Sequence, residues 1–198
     1  MDLTDLKKVL LEAEEQISLA ETQSRRLPVP SLNELRYVAV HLLAYDESDD
    51  PEIKKRELEK AMNHCKRAYY DAQRFMLLNL YGDVVSIRRG LGSYSHFFAA
   101  LAGREYIELK QRLRAADLFL RETRMLKRDN ERWEKRHLFY QSCGEHIQAC
   151  RDYVDLFDNL QDEISDSIQS SEKTKSLSRW GIIIAIIVGV LTLIGLFI

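Results

Sequence analysis

From Trp180 to Ile198 the chain reads WGIIIAIIVGVLTLIGLFI, nineteen residues with no charge and with Thr192 as the only hydroxyl. At a rise of 1.5 Å per residue such a helix is about 28 Å long, enough to cross a hydrocarbon layer of roughly 30 Å with little tilt. A helix that is apolar all round has no face to present to water, which argues against an ordinary amphipathic helix of a globular core. Apolar runs elsewhere, such as Phe97 to Ala102, are much shorter and are flanked by charge. The sequence therefore predicts one bilayer crossing, with the polypeptide arranged as a tail-anchored protein.

Orientation follows from the flanks. Lys173, Lys175 and Arg179 precede the span, and the positive-inside bias places residues 1–179 in the cytoplasm. Trp180 is suited to the headgroup level. The opening MDLTDLKK is acidic and amphipathic, unlike a secretory signal. Within the span Gly181, Ala185 and Gly189 are four apart, and Thr192 and Gly195 extend the stripe. Small residues in this register let helices approach closely in lipid, so self-association is expected. One helix cannot enclose a water path; a pore would need several copies, with these five residues at the contacts or the lining.

The part before the span holds every charged residue, 29 basic and 31 acidic, for a net charge of -2. That balance does not mark a bulk nucleic-acid binder. Its length suits one hydrophobic core, giving a helical domain over 1–164, a polar neck over 165–179 with six serines, and the span at 180–198. Cys65, Cys143 and Cys150 form an odd set without framework spacing and are expected as free thiols. With 8 Gly and 3 Pro in the whole chain, long helices with few breaks are predicted. No segment alternates with period two over a useful length, so the fold class is all-α, a cytosolic bundle of long helices followed by the membrane helix.

Residues 3–26 carry Leu3, Leu6, Val9, Leu10, Ala13, Ile17 and Ala20 at helical spacing. Pro28 and Pro30 end that helix, and Ser31 with Glu34 reads as a capping box opening a second one, which runs to Tyr45. DESDDPE is a turn in which Asp50 caps the third helix and Pro51 is its first residue. That helix is predicted to end at Tyr81, with Gly82 and Asp83 as the stop and a short helix and loop through RRGLGSYS. A fourth helix spans His96 to Leu126, bent at Gly103, with Phe97, Leu101, Ile107, Leu109, Leu113, Ala116 and Leu120 toward the core. The last begins near Asn130 and carries Trp133, Phe139, Ile147, Tyr153, Phe157, Leu160 and Ile164. Residues 104–136 hold eleven Lys or Arg against seven Asp or Glu, whereas 145–172 hold one against eight, so the acidic run is suited either to an antiparallel hairpin with the basic segment or to a solvated stem in an oligomer.

Cys143, His146 and Cys150 share one helix face and are all zinc-ligand types, but a fourth ligand is lacking locally, and packing is the expected role. Arg36 and His41, like Arg132 and His137, spell R-x4-H, which resembles the ribonuclease motif of the all-helical HEPN domains. Tyr37 and Trp133 stand where those motifs usually hold a polar residue. The antiparallel packing of helices two and three brings Arg36, Tyr37 and His41 toward His64, Arg67 and Tyr70. This mix of cations, aromatics and imidazoles suits an anionic, base-bearing ligand, with Arg88 and Arg89 beside the glycine loop as candidates for phosphate contacts; the alternative is a polar surface stitched by salt bridges such as Arg67 with Asp71 four residues on. There is no P-loop, Rossmann fingerprint or nucleophile elbow. The chain is expected to be neither an enzyme nor dependent on a cofactor.

A small helical domain feeding a C-terminal span with a small-residue stripe from Gly181 to Gly195 resembles the HalB-like membrane effectors of Hailong-type bacterial anti-phage systems. That resemblance implies a homo-oligomer, with a tetramer favoured, in the bacterial inner membrane. It also implies a nucleotide or oligonucleotide ligand made by a partner nucleotidyltransferase, whose binding or loss shifts the spans between closed and open packings and so controls membrane depolarisation. Two other readings stand beside this pore-forming effector: a tail-anchored adaptor that docks a protein partner at the bilayer, and a HEPN-like membrane-bound ribonuclease.

Overall fold

The structure, a computed structural model, describes the backbone of residues 2–126 and 142–195 and the side chains of 2–123 and 142–174. Five α-helices and one short 3₁₀ turn make up the described chain: α1 (Leu3–Ser24), α2 (Val29–Glu47), α3 (Pro51–Leu91), the turn Gly92–Tyr94, α4 (Ser95–Leu126) and α5 (Cys143–Gly195). No strand occurs among the described residues, and the protein is all-α.

The organising element is α3. At 41 residues it is about 60 Å long, and every other helix packs on it. α1 and α2 cover its first half. A ridge of small residues is completely buried there: Ala68 and Ala72 pack with Ala13, Ile17 and Ala20 of α1, and Ala61 and Cys65 with Leu6 of α1 and Val38 of α2, so the backbones approach closely. α4 and α5 cover the second half, where Met76, Leu77 and Val84 meet Phe98, Leu113, Leu120 and Tyr153.

The helix ends show how local chemistry positions these elements. Asp2 accepts the Thr4 and Asp5 amides at 2.7 and 2.9 Å while the Asp5 carboxylate accepts the Asp2 amide at 3.0 Å, a complete capping box. Asp50 caps α3 through the Glu52 amide at 2.9 Å with Pro51 as the first residue, as the sequence predicts. Helix α2 opens differently from the expectation. Pro28 is its N-cap, Val29 and Pro30 form the first turn, and Ser31 is buried inside it. Proline's fixed φ suits a first turn and removes amides that would need a cap, so no serine cap is needed, and Glu34 is left to bond another helix.

The end of α3 is also corrected. The helix does not stop at Tyr81 but passes through Gly82 and Gly90 to Leu91. An interior glycine costs about 1 kcal/mol, less than burying Val84 and Leu91 returns. The stop is Gly92, whose φ of 47° and ψ of -120° lie where side-chain-bearing residues are strained. Gly103 bends α4 as predicted, with φ 56° and ψ -128°. Phe98 rather than Phe97 is the buried aromatic, and Leu101 and Ile107, expected in the core, are exposed; at helical spacing Ile107 falls on the face opposite Leu109 and Ala116. Leu3 is exposed as well, whereas Leu109, Leu113, Ala116 and Leu120 are buried.

Trp133, Phe139 and the predicted start near Asn130 lie outside the described residues. The serine-rich neck is helical, and the α5 backbone continues through it to Gly195. Among the described residues no helix is long and apolar enough to cross a membrane. The side chains of 180–198, Gly181, Ala185, Gly189, Thr192 and Gly195 included, lie outside the described set.

Candidate functional site

Where the second half of α3 meets α4 and α5, the surface opens into a cavity of about 290 Å³. Its cations come from two helices. Arg88 lies in the last turn of α3, and Lys110 and Arg114 stand four apart on α4, one face of a helix, in line with Tyr106 one turn earlier. Phe98 and Tyr153, both fully buried, close the floor, and Gly92 and Ser95 form the rim. A second cavity of about 320 Å³ adjoins the first and shares Arg88 and Arg114 with it. Its wall adds Tyr81, Asp117 and Arg121.

Two of the three cations lie over rings. The Arg88 guanidinium lies over Tyr153 at 5.4 Å from the ring centroid, and the Lys110 ammonium over Tyr106 at 5.9 Å. Phe98 meets Tyr106 and Tyr153 edge-on, with centroids 5.4 Å away in each case. Burial pushes the Tyr153 phenol above its usual value, and the hydrogen bond and charge of Arg88 act against that rise. Three cations and no carboxylate line the first cavity, whereas in the second Asp117 is bound to Arg121 at 2.8 Å. Guanidinium groups bind phosphate oxygens in pairs, and aromatic faces stack on bases. The first cavity thus sets three cations beside three aromatic rings, with no carboxylate in its lining.

The predicted site residues fall into two places. Tyr37, His41 and His64 do meet, on the seam between α2 and α3. The His41 and His64 rings stack at 5.1 Å and 22°, Tyr37 lies 5.2 Å from His64, and Arg36 lies 5.3 Å above Tyr37. Each imidazole is also tied across the seam, His41 Nδ1 to Glu57 Oε2 and His64 Nδ1 to Glu34 Oε2, both at 2.7 Å. Lys60, at 2.7 Å, and His41 hold the buried Glu57 carboxyl down at about 2. Arg67 is half-buried one turn beyond His64, while Tyr70 packs edge-on to Tyr69 and against the main core.

Arg88 does not join this seam. It lies 24 residues beyond His64 on one helix, about 36 Å away, and lines the groove instead. Arg89, next to it, is exposed and does not line either cavity. The single site expected from the sequence is therefore two.

No protein family, curated protein or solved structure matches this chain.

Cys143 and Cys150 are fully buried free thiols, each pushed up to about 12 by desolvation, and Cys65 is buried and pushed up to about 11. His146 packs on Phe119 at 4.6 Å, and burial lowers its pKa. Among the described residues no group of three or more His, Cys, Asp and Glu side chains is placed to hold a metal ion. Arg132 and His137 lie outside the described residues.

Sequence reasoning missed Phe98, Tyr106, Lys110, Arg114 and Tyr153 as groove residues. One signal was present: Tyr106, Lys110 and Arg114 recur every four residues, a cation-aromatic stripe on one helix face.

Proposed function

We propose that this chain is a membrane-anchored sensor. Its groove takes a phosphate-bearing aromatic ligand of the nucleotide class, and its apolar segment at 180–198 is a membrane helix that responds to occupancy as part of an oligomeric pore. The observation that carries this reading is the continuity of α5. One helix, Cys143–Gly195, supplies Tyr153 to the groove and runs on into the apolar segment. Tyr153 and Trp180 are 27 residues apart, about 40 Å along the axis, so a tilt or rotation of α5 at the groove is passed to the span by helix rigidity alone.

Two further features support it. Arg112 of α4 bonds Asp152 of α5 at 2.6 Å, tying two walls of the groove together, in keeping with the hairpin alternative that the opposite charge balance of these segments offers. Helix α2 buries Val38 inward yet exposes Val29, Val40 and Leu43 outward, and this second apolar face is suited to contact between copies or with a protein partner. The latter is the one feature that favours the adaptor reading.

The test uses the full chain reconstituted in liposomes. Binding of ATP as a probe should depend on Arg88 and Arg114, and dye or ion flux should change with ATP and vanish when residues 180–198 are deleted. Retention of flux by the deleted chain would refute the pore, and ATP binding indifferent to both arginines would refute the groove.

A further inference from the structure

We infer that residues 93–102 form a hinged latch that clamps α5 between the groove and the membrane segment, so that the state of the groove is read out through one tyrosine–glutamate tie. This rests on the reading of the groove as the ligand site and names how that site is regulated.

The latch is defined by its ends. Gly92 and Gly103 have nearly the same backbone conformation, φ 47° and ψ -120° against φ 56° and ψ -128°. Nothing lies within 4 Å of where a Cβ would be at either position, so glycine is required there by dihedral angle and not by space. Between these two swivels lie the 3₁₀ turn and the first turns of α4, a short body whose covalent connection at each end is a glycine.

That body touches α5 twice. At its inner end Phe98 is wedged among Tyr106 of α4 and Tyr153 and Phe157 of α5, with centroids 5.4, 5.4 and 5.8 Å away, all edge-on. At its outer end the Tyr94 hydroxyl donates to Glu172 Oε1 at 2.9 Å, across 78 residues of sequence. Tyr94 also stacks on Phe97 at 6.3 Å within the latch, so the two ends are mechanically one piece.

The two contacts differ in strength in a way that suits a trigger. Phe98 is completely buried and part of the main core, whereas the Tyr94–Glu172 bond is exposed to water and its net value is small. A ligand ring entering beside Tyr106 and Tyr153 presses on the Phe98 cluster, the body turns about its two glycines, and the weaker outer tie gives way while Phe98 stays packed. Glu172 stands eight residues before Trp180, so its release frees the part of α5 nearest the span.

Amide hydrogen exchange on the full chain in detergent, without ligand, tests the latch apart from the groove. Tyr94→Phe and Glu172→Ala should each speed exchange in both 93–102 and 165–174, by roughly three- to tenfold, the scale of one lost hydrogen bond. The double variant should exchange no faster than the singles, and peptides from α1 and α2 should be unchanged. Gly92→Ala, which strains a swivel, should alter exchange in the same two segments without changing the α1 peptides. Effects confined to one segment, additive effects in the double variant, or no effect would overturn the latch. Failure of the groove reading is seen separately, as absence of ATP-dependent protection over residues 103–116 in the unmodified chain.

Discussion

The α2–α3 seam and the α3–α4–α5 groove are built from the same kinds of side chain, and they end in opposite electrostatic states. Both gather cations, aromatic rings and polar groups against α3. On the seam each imidazole has a carboxylate at 2.7 Å, and Glu57 is shared by His41, Lys60 and Arg56. The lining of the first cavity sets Arg88, Lys110 and Arg114 beside rings, a serine and apolar groups, and the carboxylate of Asp117 belongs to the lining of the adjoining cavity. Residue type alone does not make a binding site; what matters is whether the fold delivers compensating charge. The seam uses its polar groups to fix two helices in register, while the lining of the first cavity holds three cations and no carboxylate, which is why the ligand site is proposed there.

The largest effect that separates the two regions is on stability. Phe98 is fully buried beneath the groove and makes three aromatic contacts, so Phe98→Ala should cost about 3–5 kcal/mol. Urea unfolding should show a lower midpoint with an unchanged slope. A loss under about 1 kcal/mol would mean that the groove floor is not part of the core.

Next comes binding, where the comparison is most exposed to refutation. A charged hydrogen bond is worth about 1.5–3 kcal/mol, so Arg114→Glu should weaken binding of ATP by at least roughly tenfold. His64→Gln, on the compensated seam, should leave the same affinity within about twofold. If calorimetry gave the reverse order, the seam would be the ligand site and the groove a structural feature.

Much of the architecture was legible because it is written in short-range patterns. The α1 stripe, the Asp50–Pro51 start of α3, the bend at Gly103 and the all-α class each depend on residues within a few turns of one another. The functional division was not legible, for a physical reason. His41 finds Glu57 sixteen residues away and His64 finds Glu34 thirty residues away, so their neutralisation is a product of helix pairing that spacing along the chain does not reveal. Likewise Arg88, a candidate phosphate contact beside the glycine loop, can join the seam only if α3 stops near Gly82. Once the helix continues to Leu91, the same arginine is carried about 36 Å from His64 and faces α4 and α5.

A smaller effect tests that geometry through the glycines. Gly103 has a positive φ, so Gly103→Ala should destabilise by about 1–2 kcal/mol. Gly82 is helical with open space around its missing Cβ, so Gly82→Ala should stabilise by up to about 1 kcal/mol. Thermal melts of the two variants should therefore move in opposite directions. Equal shifts would contradict the assignment of Gly103, and not Gly82, as a break.

The smallest effect is in pH, and here the two regions should respond at opposite ends of the scale. On the seam the Glu57 carboxyl is held from its usual 4.5 down to about 2, first by Lys60 and then by His41. The folded state binds that proton less readily than the unfolded one, so the stabilisation is present above 4.5 and is lost as pH falls toward about 2. In the groove, burial raises the Tyr153 and Tyr81 phenols above 10, with Asp117 adding to the rise at Tyr81. There the folded state holds the proton more tightly, so the stabilisation is complete below 10 and fades as pH climbs through the raised values. Acid should loosen the α2–α3 seam and alkali the groove. In circular-dichroism titrations Glu57→Gln should lower stability at neutral pH and flatten the acid limb, leaving the alkaline limb and the tyrosinate absorbance curve where they were. An alkaline limb that moved with Glu57 would show that the seam and the groove unfold as one unit, and that their contrast is one of charge placement alone.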